Sequence, residues 1–397
     1  MTTAAVICEY NPFHNGHLYQ LEKIREELNA DYIVALMSGD YVERGEPAMF
    51  DKHLRAECAL NQGADLVLML PTVYSTSSAE LFAYGAVSIL NKLGCIDYLC
   101  FGAECTDLNE LLNCALAIYS NASIESPEIV NLLKEGYTYP KARAILLPQY
   151  ENLLSGSNNI LALEYINAIN KSGSTIKPYL IPRINTKYND TQLDCSSKYA
   201  SATAIRRAVS MGDDYSRYVP ESVLKILGSS IPVYPDDFSM MLYYKLLSED
   251  NFSDYLEVSE DLSLRISNTK NKYVSFTSYI EELKAKNFTY SRISRGLLHI
   301  LLNIKGSNSD YLQMADNIRY VRMLGFKKSS AALLNFVKEN GKITLISKIP
   351  DYIDKFNESD KFLFDTDLFA SDIYDKIVGY KNKQCTPQEY TKQVIIK

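Results

Sequence analysis

The strongest constraint on the fold is a rhythm in the first quarter of the chain, where short apolar runs stopped by Gly or Pro alternate with stretches of helical spacing. Ala4-Ala5-Val6-Ile7-Cys8 reads as a buried strand, and 18–28 carries Leu18, Leu21, Ile24 and Leu28 on one helical face. Residues 32–37 form a second apolar strand closed by Ser38-Gly39, 53–60 is helical and stops near Gly63, and 66–70 is a third strand stopped by Pro71. A helix over 78–93, capped by Gly94, leads to a fourth strand over 98–101 and into Gly102-Ala103-Glu104. Strands alternating with helices of this length need crossover connections, which build a parallel sheet. Ligands of such sheets sit beyond the carboxyl ends of the strands, so His14, Gly39 and Gly102 are expected on one rim.

Further along, 105–175 reads mostly helical, a strand near 177–182 would extend the sheet, and Ser201-Ala202-Thr203 opens a helix over 204–209 that ends near Gly212. Beyond Pro220 the character changes. Helical patterns recur at 240–247, 279–286, 293–302 and 332–337, and Gly becomes sparse. The predicted organisation is an α/β parallel-sheet domain over 1–212, followed by a mainly α-helical domain over 213–397. A length of 397 residues suits two or three domains. The longest apolar runs, such as 66–70, are strand-sized and too short to cross a bilayer, and no basic leader precedes the first strand, so the expected location is the cytoplasm. Eight cysteines, at 8, 58, 95, 100, 105, 114, 195 and 385, lack metal-ligand or redox spacing and are expected as unpaired thiols.

The net charge of −7 argues against nucleic acid only as an average. Residues 171–207 hold seven Lys or Arg against two Asp, and 292–348 hold ten basic against three acidic residues, while acid is concentrated in 236–261 and 351–375. Segregation of this kind builds either a local basic face or an ordinary solvated surface.

Chemistry concentrates in Glu9-Tyr10-Asn11-Pro12-Phe13-His14-Asn15-Gly16-His17. A strand ends, Pro12 prevents its continuation, and a helix is expected to start at or just after His17. The free N–H groups and positive dipole end of that helix attract an anion. Two imidazoles three apart at the same spot can donate to phosphates as charge develops on a transferring group. The competing reading is a pair of satisfied histidines at a helix cap. Only four histidines exist in the chain and two lie in this turn, which favours chemistry. No third ligand stands nearby, so no metal site is expected.

The motif His14-Asn15-Gly16-His17 resembles the HxGH signature of the nucleotidyltransferase superfamily, and the longer string 9–17 is similar to the bacterial tRNA(Met) cytidine acetate ligases. Met37-Ser38-Gly39, Arg44-Gly45-Glu46-Pro47, Phe101-Gly102-Ala103-Glu104, Ser157-Asn158-Asn159-Ile160-Leu161, Ile181-Pro182-Arg183, Ser201-Ala202-Thr203-Ala204-Ile205-Arg206 and a helical Tyr320-Val321-Arg322-Met323-Leu324-Gly325-Phe326 carry the resemblance in order over nearly the whole chain. It implies a Rossmann-like nucleotidyltransferase domain. The implied reaction has two steps: acetate attacks the α-phosphate of ATP, and the acetyl-adenylate then acetylates N4 of the wobble cytidine (C34) of elongator tRNA(Met). A small-molecule nucleotidyltransferase that adenylylates a phosphorylated metabolite is the alternative.

On this resemblance His14, His17 and Arg206 are the catalytic candidates. ATP contacts are implied for Ile7, Cys8, Glu9, Tyr10, Asn11, Pro12, Phe13, His14, Asn15, Gly16, His17, Leu18, Tyr19 and Gln20, and for Gly102, one of Asn158 and Asn159, Arg183, Ser201 and Thr203. Ser201 or Thr203 can cap a helix and also bond a phosphate oxygen, while Arg206 offers a bidentate fork. Ala202 stands where the superfamily often has a second hydroxyl, which makes Arg206 the stronger candidate. Lys52 and Arg55 either complete an anion pocket or form a solvated helix face. Ser38, Asp40 and Arg44 are further candidates for the acetate side. Magnesium is expected to accompany ATP. The basic stretch 292–348, interleaved with Tyr290, Tyr311, Tyr320 and Phe326, is the expected tRNA face of the second domain.

Overall fold

A computed structural model describes residues 1–122, 126–183, 193–194, 196–285 and 287–397. Lys187 and Asp190 of the first basic stretch, Cys195, and Lys286 at the end of one expected helix lie outside the described residues.

The expected alternation is present. Strand β1 (Thr3–Cys8) leads through a turn to α1 (Asn15–Leu28), then β2 (Tyr32–Ser38), α2 (Lys52–Asn61), β3 (Leu66–Leu70), α3 (Ala79–Leu93) and β4 (Tyr98–Ala103). After a helix over Leu108–Asn121 and several short ones, α4 (Ser157–Lys171) leads to β5 (Lys177–Pro182), and α5 (Ala202–Met211) follows. β1 pairs in parallel with β2 and β4, β2 with β3, and β4 with β5, which aligns their carboxyl ends along one rim. Side chains alternate between two apolar layers. Ala5 packs on the face covered by α3 and α4, whereas Ala4 and Val6 face α1 and α2.

Beyond residue 212 the chain is helical as far as α6 (Tyr290–Leu302) and the short helix after it, and then departs from expectation. Residues read as helical, 320–326, are strand β6 (Tyr320–Phe326). β7 (Thr344–Ile346), the long helix α7 (Glu358–Asn382) and a terminal strand β8 (Ile395–Ile396) complete the fold. The eight-stranded sheet runs β8-β6-β3-β2-β1-β4-β5, with β7 also paired to β6. β6 lies antiparallel to β3 and parallel to β7 and β8. Seven residues, apolar but for Arg322, do not separate strand from helix by period. The open edge of β3 decides the matter, because β6 fills it. Gly325 is required there: a Cβ would stand 2.6 Å from Leu60 Cδ1 and 3.0 Å from Ile395 Cβ. Residue 212 is thus a boundary in sequence, while the sheet takes strands from both sides of it.

A buried ionic node ties the C-terminal segment to the rim. Lys52 Nζ lies 2.6 Å from Asp40 Oδ2 and 3.0 Å from Glu389 Oε2. Glu389 also accepts from Arg322 Nη2 at 2.5 Å, and Lys392 reaches Asp375 at 2.8 Å. The seven described cysteines are unpaired. Among the described residues no helix is long and apolar enough to cross a membrane.

Candidate active site

The turn after β1 is shaped by fixed hydrogen bonds. Tyr10 takes a left-handed backbone (φ 47) and the Asn11–Pro12 bond is cis. Asn11 Oδ1 accepts the N–H of Met49 at 2.8 Å, and its carbonyl accepts from Arg206 Nη1 at 2.9 Å. Arg55, fully buried, donates to the carbonyls of Phe50, Glu9, Ser38 and Gly39. It clips the ends of β1 and β2 together and is neither an anion ligand nor part of a solvated face. Lys52, spent on Asp40 and Glu389, is excluded from the pocket for the same reason, and Asp40 and the buried Ser38 stay out of it as well.

Helix α1 begins two residues earlier than expected, with His14 as its N-cap. His14 Nδ1 accepts the N–H of Gly16 at 3.0 Å, and His17 Nδ1 accepts the N–H of His14 at 3.2 Å, a reciprocal capping box. The capping and catalytic readings are therefore compatible. Each Nδ1 is an acceptor, so each neutral ring carries its proton on Nε2. No bond to either Nε2 is made among the described residues, and both rings line the cavity. They stack with centroids 3.7 Å apart. Burial, with the charges of Arg183 and Arg206, pushes His14 down to about 3. Burial, then His14 and Arg183, holds His17 well below the usual imidazole range. The pair is thus neutral at pH 7 and presents two N–H donors to an incoming anion.

Around the pair lies a cavity of about 260 Å³ at the carboxyl ends of β1, β4 and β5. Its lining includes Ile7, Cys8, Glu9, Tyr10, Asn11, His14, Gly16, His17, Tyr19, Gln20, Gly102, Asn158, Arg183, Ser201, Thr203 and Arg206. Ser201 Oγ caps α5 by accepting from Ala204 N at 3.0 Å, and Arg206 Nη2 donates to Thr203 Oγ1 at 3.2 Å. Arg183 Nη1 donates to Asn158 Oδ1 at 2.9 Å, and Asn158 Nδ2 donates to Glu104 Oε1 at 2.6 Å, next to the N-terminus of α4. Of the two asparagines only Asn158 faces the cavity. Asn159 is buried and accepts the N–H of Cys105 through Oδ1 at 2.9 Å. A Cβ on Gly102 would stand 3.2 Å from the Arg183 side chain, so this position is tight against an arginine.

Four residues of the 7–20 stretch do not line the cavity. Phe13 is in the core, Pro12 is in the turn, and Leu18 packs with the core cluster under α1. The amide of Asn15 is turned away to bond the carbonyls of Lys198 and Arg217 at 2.8 and 3.0 Å. Conversely, Val42, Glu43, Arg44, Glu46, Phe82, Phe101, Leu161, Tyr165 and Tyr199 line it. Among these only Arg44 was an explicit candidate; the others come from elements whose local patterns report burial but not the face that opens on a cavity. Burial raises Glu43 against the opposing charge of Arg295, whose Nη1 lies 3.1 Å away. Burial likewise raises Glu46, opposed by Arg206 and Arg44.

The expected stacking face on 292–348 is not as drawn. Tyr311 and Tyr320 are 1% exposed core residues, and Arg295 and Arg322 are buried in ion pairs with Glu257 and Glu389. The exposed cations of that stretch are Lys305, Arg319, Lys328, Lys338, Lys342 and Lys348. Among the described residues no cluster of three or more His, Cys, Asp or Glu is arranged to hold a metal.

A parallel sheet with a stacked histidine pair capping its first helix, and two arginines converging on the same cavity, defines a nucleotidyltransferase-type site. The HIGH Nucleotidyl Transferase family model matches residues 1–390. Proteins named tRNA(Met) cytidine acetate ligase from Thermoanaerobacter sp. (strain X514) and Caldanaerobacter subterraneus subsp. tengcongensis are 37% and 38% identical to the chain, each alignment covering 100% of both sequences. The crystal structure of Thermotoga maritima TmcAL bound with alpha-thio ATP superposes with a TM-score of 0.89 at 30% identity, over 100% of this chain and 99% of that one. The chain belongs to the HIGH nucleotidyl transferase family, in its tRNA(Met) cytidine acetate ligase branch.

Proposed function

We propose that the protein uses ATP to activate acetate as acetyl-adenylate and transfers the acetyl group to N4 of the wobble cytidine, C34, of elongator tRNA(Met). The observation that carries this reading is full-length similarity to the tRNA(Met) cytidine acetate ligases, joined to a cavity in which two neutral imidazoles and two arginines face one space. In the first step an acetate oxygen bonds to the α-phosphorus and the bond to the β-phosphate bridging oxygen breaks, releasing pyrophosphate. Little covalent work falls to the protein in such a transfer; positioning and charge dominate. His14 and His17 donate through Nε2 to phosphate oxygens, and Arg183 and Arg206 offset the accumulating charge. Magnesium enters with the triphosphate. The exposed Lys198 and Arg207, next in sequence to the cavity residues Tyr199 and Arg206, and the exposed cations of 292–348 serve the tRNA backbone.

The alternative, adenylylation of a phosphorylated metabolite, finds no support among the relatives. The deciding experiment incubates the full chain with ATP, acetate and unmodified elongator tRNA(Met), then digests the tRNA and measures N4-acetylcytidine by mass spectrometry. Acetate-dependent acetylation of C34 is the expected result; an unmodified C34 beside active acetate-dependent pyrophosphate exchange would sink the tRNA assignment.

A further inference from the structure

The cavity carries charge of both signs. His14, His17, Arg183 and Arg206 suit the phosphates, yet Glu9, Glu43 and Glu46 line the same space with Phe82, Phe101 and Tyr165. Carboxylates gain nothing from phosphate oxygens and repel an acetate ion, so this acidic, aromatic side suits a flat group that donates hydrogen bonds. Two side chains there have unused bonding capacity. Glu9 is held in place because its Oε1 accepts the N–H of Glu43 at 3.0 Å, while its Oε2 makes no hydrogen bond among the described residues. Tyr165, only 6% exposed, packs its ring on Phe101 at 5.9 Å, and its hydroxyl makes no hydrogen bond among the described residues. Burial first, and then the charges of Glu9 and Glu43, hold the proton on that hydroxyl. The hydroxyl of a cavity-lining tyrosine that bonds no protein group is a donor that a ligand can engage.

We propose that Glu9 and Tyr165 form the pocket for the acceptor base, a flat, uncharged heterocycle bearing an exocyclic amine. In the function proposed above, on which this inference rests, that base is cytosine. Its N4–H donates to the free Glu9 oxygen, a ring acceptor receives the Tyr165 O–H, and Phe82 and Phe101 supply the apolar walls for an unstacked base. The cytosine amine is a weak nucleophile because its lone pair is delocalised into the ring. As N4 bonds to the acetyl carbon, the acyl–oxygen bond to AMP breaks, AMP leaves with that electron pair, and the proton released by N4 passes to Glu9. Uracil would set a carbonyl oxygen against the same carboxylate, so the arrangement also rejects it.

The test measures two half-reactions on the full chain: acetate-dependent ATP–pyrophosphate exchange without tRNA, and single-turnover acetyl transfer to tRNA. Removing a general base at Glu9→Gln is expected to lower the ratio of transfer to exchange by about 100-fold or more. Glu9→Asp should recover part of that loss. Tyr165→Phe, which removes one unbonded hydroxyl and keeps the ring, is expected to lower the same ratio by about tenfold, the size of one hydrogen bond to the base; it keeps the test valid should Glu9 variants fold poorly. If both half-reactions fall in parallel, or KM for ATP rises while the ratio stays unchanged, the pocket belongs to the nucleotide and the proposal is overturned. A wild-type chain that exchanges pyrophosphate but never acetylates tRNA overturns the tRNA function together with this pocket.

Discussion

Because His14 uses one ring nitrogen to cap α1 and turns the other toward the cavity, its two roles can be separated by substitution. His14→Ala removes both. His14→Asn keeps an acceptor suited to the cap, since Asn ranks among the best N-cap residues, but has no donor at the position of Nε2. Losing the cap should cost about 1 kcal/mol. With an unfolding entropy of about 2.1 cal/mol/K per residue, a chain of 397 residues that unfolds cooperatively has a total near 0.8 kcal/mol/K, so the cap is worth only about 1 °C in Tm. Losing a positioned donor to developing negative charge costs about 10²–10³ in rate, roughly 3–4 kcal/mol. Acetate-dependent ATP–pyrophosphate exchange and calorimetric melting of both variants give the comparison. The expected pattern is a comparable loss of exchange in both, with the Tm lowered in His14→Ala alone. Exchange by His14→Asn within about threefold of wild type would refute the donor role, since a lost donor is worth far more than that. Equal melting losses in the two variants would refute the capping account.

Three further outcomes follow from the same geometry. Lys52→Met leaves the buried Asp40 carboxylate without its cation, while Glu389 keeps Arg322 and Lys392, and should cost about 3–5 kcal/mol, measured by urea unfolding; a cost below about 1 kcal/mol, the scale of an exposed pair, would show that the node is solvated. Gly45→Ala places a Cβ 2.3 Å from Arg295 N at φ +76, so it should disturb the Arg295–Glu43 pair, lower stability by at least about 1–3 kcal/mol, and reduce acetyl transfer; a neutral variant would contradict the close approach. The third concerns pH. His14 is pushed down to about 3 in the folded chain, from an unfolded value near 6.5. Between those values the unfolded state binds the extra proton, so this group's contribution is complete above about pH 6.5 and is lost as pH falls toward 3. The stability of His14→Asn relative to wild type should therefore rise from pH 7.5 to pH 5 in denaturant titrations, and a fall over that range would show that the ring is not held neutral.

How much of this was legible in the sequence depends on how far along the chain each residue finds its partner. β1, β2, β3 and α3 could be read because their signals are local: apolar runs with Gly or Pro at the ends, and a glycine cap at Gly94 with φ 70. The His14–His17 box also closes within four residues, and the pair lines the cavity, with the helix starting two positions before the point its spacing suggests. Lys52 and Arg55 were illegible for the opposite reason. Charged residues at a helix start look solvated or ligand-binding until the partner is known, and for Lys52 that partner is Glu389, near the other end of the chain. β6 is not legible from its own residues, because seven residues, apolar but for Arg322, are ambiguous in period, and only the open edge of β3 makes them a strand. Glu43 and Tyr165 share this property: helical spacing reports the burial of Tyr165 and nothing local marks Glu43 in its turn, while their facing one cavity is created when α4, β1 and the loop after β2 close together. The sign of the charge lining a pocket is a tertiary quantity for the same reason. Glu9 sits inside the motif that marks the phosphate site, where sequence position assigns it to ATP; its bond to Glu43, which no local pattern announces, also ties it to the acidic residues of the same cavity.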